Sequence, residues 1–440
     1  MGLVKTMDQC LALAVLPHRV ALRKREQWLS ANEIAAGRRQ RLANLLRQAR
    51  RAPYYAQLFR EFGLEKPENF NVAALRRLPF LDKQVLSSRP IEDFLTVNRK
   101  RLLQVATSGS TGHIATFLRS PAEEADFSAR WWRVYAAYGC TGLDRQVNIA
   151  AAGKKDRSGP IGLLRRVGVL PRVTHIASTA PPAQNAQVLR DERPRILAGY
   201  AVAIEALADH LISSNTHVQP PRVVICAAME VSEHCRRLAE RAFRAPVANV
   251  YVSNEVGVIA WACPLQPDAL HVNDDAFELE IVDEQGQPVA AGVRGEVVVT
   301  PLVQTSMPLL RYRIGDMAAR LDERCACGRG FSLITPIQGR TAHVIRHASG
   351  HIISGPAVTM ATGKAAGYEW IRRLQLREQQ DATLQLLLEV KRTPTDAETK
   401  RLLVCVQEAV SPHYRLELQI VPAIPFAPSG KFQSVIPRSA

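Results

Sequence analysis

The segment VATSGSTGHIATF, residues 105–117, carries the strongest indication of what this chain folds into. Hydroxyl side chains and glycines alternate through its middle, at Thr107, Ser108, Gly109, Ser110, Thr111 and Gly112. Glycines let backbone N–H groups turn toward an anion, and hydroxyls supply further hydrogen-bond donors. No Gly-Lys-Ser/Thr follows, so the segment is not a Walker A loop. It predicts a loop that holds phosphate groups, with an ordinary flexible surface loop as the alternative.

Strand-like apolar runs alternate with helical stretches between about residue 100 and residue 300. RPRILAGYAVAIEALADHLI (193–212) changes from a strand pattern to a helix pattern, and PVANVYVSNEVG (246–257) is a strand with an abrupt end. This alternation predicts an α/β architecture with parallel strands. FELEIVDEQGQPV, RGEVVVTPLV and LLRYRIGDMAARLD, within residues 277–322, then predict a β-rich subdomain.

The two ends of the chain have different patterns. Residues 1–75 are predicted to be mostly helical, with a break at Pro53 and with their arginines on a solvated helix face. PFLDKQVLSS (79–88) predicts a turn that leads into a short helix. Residues 340–440 predict a small α+β unit.

Composition excludes several classes of protein. The 440 residues are 47% hydrophobic and 22% charged, which excludes a disordered chain, a collagen or a disulfide miniprotein. No apolar run is long enough to span a membrane. Eight cysteines in so long a chain do not form a disulfide framework, so we expect a cytoplasmic protein with reduced thiols.

The net charge of +16 is the unusual quantity in the composition. It is typical of proteins that bind nucleic acid, a membrane surface, an anionic cofactor or an acidic partner protein. Aromatic residues are only 6% of the chain, and nucleic-acid binders need them for stacking on bases. Trp131-Trp132-Arg133 is the one aromatic and basic cluster, and we expect it in the core or beside a substrate pocket. Binding to nucleic acid or membrane is therefore not the leading hypothesis.

Four more motifs follow the 105–117 segment in order. They are NVYVSNE (249–255), MPLLRYRIGD (307–316), Gly339-Arg340 and PSGK (428–431). Together these five resemble the motif series of the adenylate-forming superfamily, to which acyl-CoA synthetases and adenylation domains belong. PYYAQLF, RRLPFLDKQ and CACGRGFSLITPIQGR resemble its phenylacetate–CoA ligase and coenzyme F390 synthetase-like branch. The resemblance covers most of residues 40–440.

The resemblance implies a fold and an activity. The fold is α/β, with a large N-terminal domain (1–338) that binds ATP and the acyl substrate, and a small α+β lid domain (339–440). The activity is ATP-dependent conversion of a carboxylic acid, expected to be aromatic or a related small acid, into an acyl-AMP. CoA then accepts the acyl group as a thioester. Homodimers are usual among such relatives.

Site residues are carried over from the same motifs. Lys431 would bridge the carboxylate and the α-phosphate, Glu255 would bind Mg²⁺, and Arg340 would contact ribose or phosphate. The remaining nucleotide-binding positions are residues 107–112 for the phosphates, Asn249, Tyr251 and the turn Ala228-Met229-Glu230 for adenine, Asn254 beside Glu255, and Asp316 for the ribose hydroxyls. Taken singly, Glu255 and Asp316 have a structural alternative as turn residues.

Four residues form a candidate zinc site. Some relatives carry a structural zinc whose ligand pattern resembles Cys263, His271, Cys325 and Cys327. Three thiolates and one imidazole suit a closed tetrahedral site. Buried free thiols are the alternative, because cysteine is often buried without a metal.

The chain departs from the family pattern at the hinge. Thr341-Ala342-His343 follows Gly339-Arg340 where the family usually has an acidic residue. This leaves a second acceptor possible, either the phosphopantetheine of an acidic carrier protein or an amine. A catalytically inactive homologue is a further alternative.

Overall fold

The computed structural model describes residues 2–66, 70–106, 116–150, 173–178, 180–227, 231–337, 344–346, 352–354, 358, 370–380, 382–410, 414–425 and 432–438. Five helices open the chain: α1 (Gly2–Glu26), α2 (Ala31–Ala49), α3 (Pro53–Glu61), α4 (Val72–Arg77) and α5 (Lys83–Ser87). Two short 3₁₀ helices, Ile91–Phe94 and Arg99–Arg101, follow. These bounds confirm the helical start and the short helix within 79–88.

Capping residues set where these helices begin. Ser30 accepts a hydrogen bond from Glu33 N, and the Glu33 side chain accepts one from Ser30 N, which forms a capping box at α2. Pro53 stands at the first position of α3, where its missing N–H costs nothing. The predicted break at Pro53 is thus a helix start. Asp82 caps α5 by accepting from Val85 N at 2.8 Å.

Parallel strands build half of the main sheet. The antiparallel pair β1 (Leu103–Ala106) and β2 (Thr116–Arg119) precedes α6 (Pro121–Ala137). The next strands are β3 (Gln146–Ala150), β4 (Val173–Ala177), β5 (Ile196–Gly199), β6 (Val223–Ala227) and β7 (Val247–Ser253). Between them run α7 (Pro182–Glu192), α8 (Ala201–Ser213) and α9 (Glu233–Phe243). Strands β4, β3, β5, β6 and β7 lie side by side and parallel, as predicted.

Antiparallel strands build the other half. They are β8 (Gly257–Cys263), β9 (Gln266–Val272), β10 (Phe277–Val282), β11 (Arg294–Pro301), β12 (Tyr312–Leu321) and β13 (Leu333–Ile334). The predicted β-rich stretch is hydrogen-bonded to the parallel half, giving one 11-stranded sheet in the order β10-β11-β12-β13-β9-β8-β7-β6-β5-β3-β4. The sheet continues because β9 pairs with both β8 and β13.

The C-terminal part has its own hydrophobic core. Strands β14 (Val344–Arg346) and β15 (Ile352–Ser354) form a pair. A four-stranded sheet in the order β18-β17-β16-β19 follows, from β16 (Ile371–Glu378), β17 (Thr383–Val390), β18 (Arg415–Val421) and β19 (Val435–Ile436), with α10 (Asp396–Ala409). Its buried cluster runs from Ile345 to Val435, as in the expected α+β unit.

Buried ion pairs join α1 to α6 and to the segment before β10. Arg23 is 1% exposed and contacts Asp126 on α6 and Asp275 before β10. Arg133 of α6 is fully buried and also contacts Asp275, at 2.6 Å. Burial works against the charge of Arg23, but the nearby carboxylates outweigh it and raise the pKa of Arg23. Arg133 thus lies in the core, one of the two places expected for its cluster.

The arginines of α2 do not all face solvent, contrary to the prediction for this part of the chain. Arg38 lies 3.2 Å from Asp274 and from Glu278, and Arg41 pairs with Glu26. The prediction of a solvated face was wrong at these two positions because their carboxylate partners come from other elements. None of the helices within the described ranges is long and apolar enough to cross a membrane.

Candidate active site

Asn249 and Tyr251 lie on β7, next to the carboxyl end of the parallel strand β6. Asn249 on β7 pairs with Cys226 on β6, one residue before β6 ends at Ala227. Asn249 is half-buried, and Tyr251 is 6% exposed. Parallel strands bind ligands at their carboxyl ends, so this edge is where a nucleotide base would lie.

A tight turn after β7 presents Glu255. The register of β7 against β8 shifts between Tyr251 and Val252, and the turn passes through Asn254 and Glu255 to Gly257. Gly257 has a φ of 88°, in the left-handed region that favours glycine. Glu255 is buried, while Asn254 is exposed. The carboxylate predicted to bind a metal therefore lies a few residues beyond Asn249 and Tyr251 along the chain.

Lys83 reaches this turn from the N-terminal part of the chain. Its Nζ lies 3.1 Å from Glu255 Oε1. Backbone hydrogen bonds bring it there, because Leu81 N donates to Arg311 O and Arg313 N donates to Leu81 O at the start of β12. The motifs alone assigned no role to Lys83. The only signal for it was that Lys83 belongs to the RRLPFLDKQ segment.

Asp316 lies in a bulge of β12. Strand β11 pairs Val298 with Arg313 and Glu296 with Met317, so three residues of β12 face one of β11. Gly315 has a φ of 84° within this bulge, and Asp316 is 4% exposed. Bulges redirect side chains beside active sites. The alternative that Asp316 is a simple turn residue is wrong, because it stands inside a strand.

Arg311 clamps the segment that carries Lys83. Its guanidinium makes two hydrogen bonds to Glu280, at 3.0 and 3.1 Å. The same group donates to the carbonyl oxygens of Arg76 and Leu78, both at 2.8 Å. Arg311 is buried and has a φ of 50°. Sequence reasoning missed this role because an arginine next to a strand usually faces solvent.

The four predicted zinc ligands lie together. Their candidate ligand atoms all fall within 4.8 Å of one another. Cys263 Sγ is 3.6 Å from Cys325 Sγ, and Cys327 Sγ is 3.5 Å from His271 Nε2. A tetrahedron with zinc–sulfur bonds of about 2.3 Å has edges of about 3.8 Å. The donor set and its spacing therefore fit a tetrahedral metal.

The protonation of His271 suits the same role. Burial lowers the pKa of His271 to about 4, and the nearby Arg329 adds to this shift. The imidazole is thus neutral at neutral pH, which is the form that ligates zinc. Cys263, His271 and Cys325 are buried, as a closed structural site requires.

Other predicted positions lie outside the described residues. They are Thr107–Gly112, Ala228, Met229, Glu230, Arg340 and Lys431. The strand that follows the first of these segments is described. Phe117 of β2 packs edge-on against Tyr312 of β12, with ring centroids 6.1 Å apart. Strand β2 therefore approaches the strand that carries Asp316.

Several known proteins are similar to this chain. No protein-family model matches the chain. A phenylacetate–coenzyme A ligase of Thermus thermophilus is 27% identical over 300 residues, covering 66% of this chain and 66% of the relative. One from Escherichia coli is 24% identical over 310 residues, covering 66% of this chain and 68% of the relative. The chain thus spans just under two thirds of the Thermus protein's length.

A solved structure covers nearly the whole chain. The 2-hydroxyisobutyryl-CoA ligase in its postadenylation state matches with a TM-score of 0.76 at 20% identity, over 94% of this chain and 92% of that chain. The chain has the fold of this ligase, and its sequence is similar to those of phenylacetate–CoA ligases. Within this fold, Asn249 and Tyr251 lie on β7, Glu255 lies in the turn after it, and Asp316 lies on β12.

Proposed function

We propose that this protein is an AMP-forming acid–thiol ligase. It activates a carboxylic acid with ATP to an acyl-AMP and then transfers the acyl group to CoA. One observation carries the proposal: residues from two separate motifs lie in one sheet, Asn249 on β7, Glu255 in the tight turn after it, and Asp316 in a bulge of β12. The phenylacetate–CoA ligase relatives support the assignment.

Adenylation develops negative charge on the phosphates, so it needs cations and hydrogen-bond donors. Glu255 would bind Mg²⁺, since a hard cation takes oxygen ligands. The loop Thr107–Gly112 would donate to the leaving pyrophosphate, and Lys431 would hold the carboxylate against the α-phosphate. Lys83 lies 3.1 Å from Glu255 and would add a positive charge near the same phosphates.

The nucleoside would lie along the strand ends. Asn249 would accept and donate at the adenine edge, and Tyr251 and the turn Ala228-Met229-Glu230 would flank the base. Asp316 would accept hydrogen bonds from the ribose hydroxyls, because a carboxylate offers two acceptor oxygens. Asn254 and Arg340 would complete this set.

The acid would bind near two aromatic side chains. Trp131 and Tyr135 of α6 stack with ring centroids 6.0 Å apart. Both are partly buried and pack against a buried hydrophobic cluster that includes Val250 and Trp261. Ala227 and Val252, near the ends of β6 and β7, pack against the same cluster. A flat ring stacks well on such a pair, which supports an aromatic acid as substrate.

The second step would use a movable lid. We assign residues 1–338 to the body and 339–440 to the lid that carries Lys431. CoA is the leading acceptor. Carrier-protein phosphopantetheine or an amine is the alternative, because Ala342 and His343 replace the usual acidic hinge residue.

We assign a structural zinc ion to the Cys/His cluster. Cys263, His271, Cys325 and Cys327 would bind it and tie β8, β9 and the segment before β13 together. All the cysteines whose side chains the structure describes are free thiols, which fits a reducing cytoplasm.

Pyrophosphate exchange tests the first step. The protein is incubated with ATP, Mg²⁺, labelled pyrophosphate and a panel of aromatic and aliphatic acids. Exchange that depends on an aromatic acid supports the proposal, and no exchange with any acid contradicts it. Product analysis with CoA, a carrier protein or an amine then identifies the acceptor.

A further inference from the structure

Arg130 of α6 touches the turn that presents Glu255. Its Nη2 donates to the carbonyl oxygen of Val256, at 2.8 Å, and Arg130 is 3% exposed. The guanidinium lies over the rings of Phe127 and Phe277, at 5.9 and 5.0 Å from their centroids. A buried charged donor of this kind makes stronger hydrogen bonds than a neutral one.

Gly257 makes this contact possible. A Cβ atom at that position would lie 2.8 Å from Arg130 Nη2 and 2.6 Å from a ring carbon of Phe127. Such contacts are too close for any side chain, so the backbone of the turn lies directly on the guanidinium and the ring. The turn and α6 therefore fit together without a layer of side chains between them.

Helix α1 is linked to Arg130 through Asp126. Arg130 Nη1 lies 3.5 Å from Asp126 Oδ2, one helical turn earlier. Arg23 of α1 donates to Asp126 Oδ1 from both Nε and Nη2, at 2.8 and 2.6 Å. A continuous chain of buried contacts thus runs from α1 through Asp126 and Arg130 to the Glu255 turn.

We propose that Arg130 is a positioning residue, which fixes the 254–257 turn so that Glu255 points at the metal, and that α1 orients Arg130 through Arg23 and Asp126. The metal-binding role of Glu255 in this inference rests on the proposed function. Side chains that orient metal ligands change metal affinity or activity by about 10- to 100-fold when they are replaced.

Burial lowers the pKa of Arg130 to about 10, with the Asp126 carboxylate opposing that shift. The side chain therefore stays charged at neutral pH and keeps its charged hydrogen bond to the carbonyl oxygen of Val256. Lysine in its place retains a charge but has a single ammonium, which cannot reach Asp126 and Val256 with a planar fork. Methionine retains the length and removes every donor.

Arg133 provides the matched control. It is one turn further along α6 and fully buried, and it bonds to Asp275 and to the carbonyl oxygen of Arg23. None of its hydrogen bonds within the described residues goes to the 254–257 turn. Arg130→Met and Arg133→Met therefore remove similar buried charges, and only the first removes a hydrogen bond made directly to the turn.

The test compares Arg130→Met, Arg130→Lys, Arg133→Met and Arg133→Lys in the full chain. The first readout is hydrogen–deuterium exchange of the 254–257 amides, which needs no activity. We expect at least about 10-fold faster exchange in Arg130→Met than in Arg133→Met, with Arg130→Lys intermediate. The lysine variants serve if a methionine variant does not fold.

The second readout is the Mg²⁺ concentration for half-maximal pyrophosphate exchange. We expect an increase of about 10-fold in the Arg130 variants and less than about 2-fold in the Arg133 variants. Equal changes in the two pairs, in either readout, overturn the proposal. If the parent protein shows no acid-dependent exchange at all, the proposed function fails, and the amide measurement still decides whether Arg130 holds the turn.

Discussion

Lys83 Nζ and Glu255 Oε1 lie 3.1 Å apart, although their side chains come from different parts of the chain. The pair is mostly buried, with side-chain exposures of 22% for Lys83 and 9% for Glu255. Two kinds of hydrogen bond hold the segment that carries Lys83. Leu81 bonds to the backbone of Arg311 and Arg313, and the Arg311 guanidinium donates to the carbonyl oxygens of Arg76 and Leu78. The N-terminal helical part thus contributes directly to the candidate active site.

Replacing Lys83 by methionine is expected to reduce acid-dependent pyrophosphate exchange by about 100-fold. Loss of one fixed donor to developing phosphate charge costs about this much in other enzymes. Steady-state exchange rates at varied ATP give the measurement. Lys400→Met, on the exposed face of α10, is the control. An exchange rate in Lys83→Met equal to that of the parent would show that Lys83 does not act in this site.

Asp316→Asn is expected to raise the KM for ATP by about 10-fold or more. The amide keeps the shape but has only one acceptor oxygen for the two ribose hydroxyls, and buried polar groups left unpaired are costly. ATP titrations of the exchange rate measure the effect. The matched change Asp322→Asn alters an exposed carboxylate beyond the end of β12. Equal KM values for both variants would contradict the ribose role.

The Cys/His cluster predicts one zinc ion per chain. Metal analysis of purified protein should find it, and a strong chelator should lower the melting temperature by more than about 5 °C. Cys325→Ser should abolish binding. Cys405→Ser should leave it intact, because Cys405 is on α10 and outside the cluster. Metal-free protein with reactive thiols at Cys325 and Cys327 would disprove the site.

The raised pKa of Glu205 on α8 leads us to expect that the stability of the protein depends on pH. Burial raises the pKa of Glu205 to about 7; Lys391 and Arg373 oppose the shift, and Asp209 adds to it. His234 Nε2 also faces it, at 3.8 Å. Unfolded glutamate titrates near about pH 4.3, so the folded state binds more protons between roughly pH 4.5 and 7. The free energy of unfolding must therefore fall as the pH rises through that window.

Glu205→Gln should remove this decrease. The variant is then expected to gain stability relative to the parent at about pH 8 compared with about pH 5. Urea unfolding at both pH values provides the free energies. Glu408→Gln, an exposed change on α10, should follow the parent. The same pH dependence in the parent and in Glu205→Gln would show that Glu205 is not the group responsible.

Local patterns were sufficient to predict much of the fold. The alternation of apolar runs and helical stretches indicated the parallel strands β5, β6 and β7, and the motif at 249–255 begins on the last of these. The β-rich stretch was predictable, but its continuity with the parallel half was not. Strand pairing between β9 and β13 joins residues more than 60 positions apart, and periodicity contains no information on such partners.

Contacts between distant charged residues were the main omission. The α2 arginines were expected in solvent, because a charged residue without a visible partner is usually exposed. Arg38 instead pairs with Asp274 and Glu278. For the same reason no role could be predicted for Arg130 or Arg311, whose partners are backbone carbonyls and carboxylates, most of them from other elements.

The docking of α1 also has a consequence for synthesis in the cell. Arg23 needs Asp126 and Asp275, which follow it by 103 and 252 residues. A ribosome that adds roughly 5–20 residues per second takes roughly 13–50 s to produce the second partner. Helix α1 is therefore locked in place only after both of these later partners have been made. During that interval it is open to chaperones and proteases, with a buried-type arginine still in water.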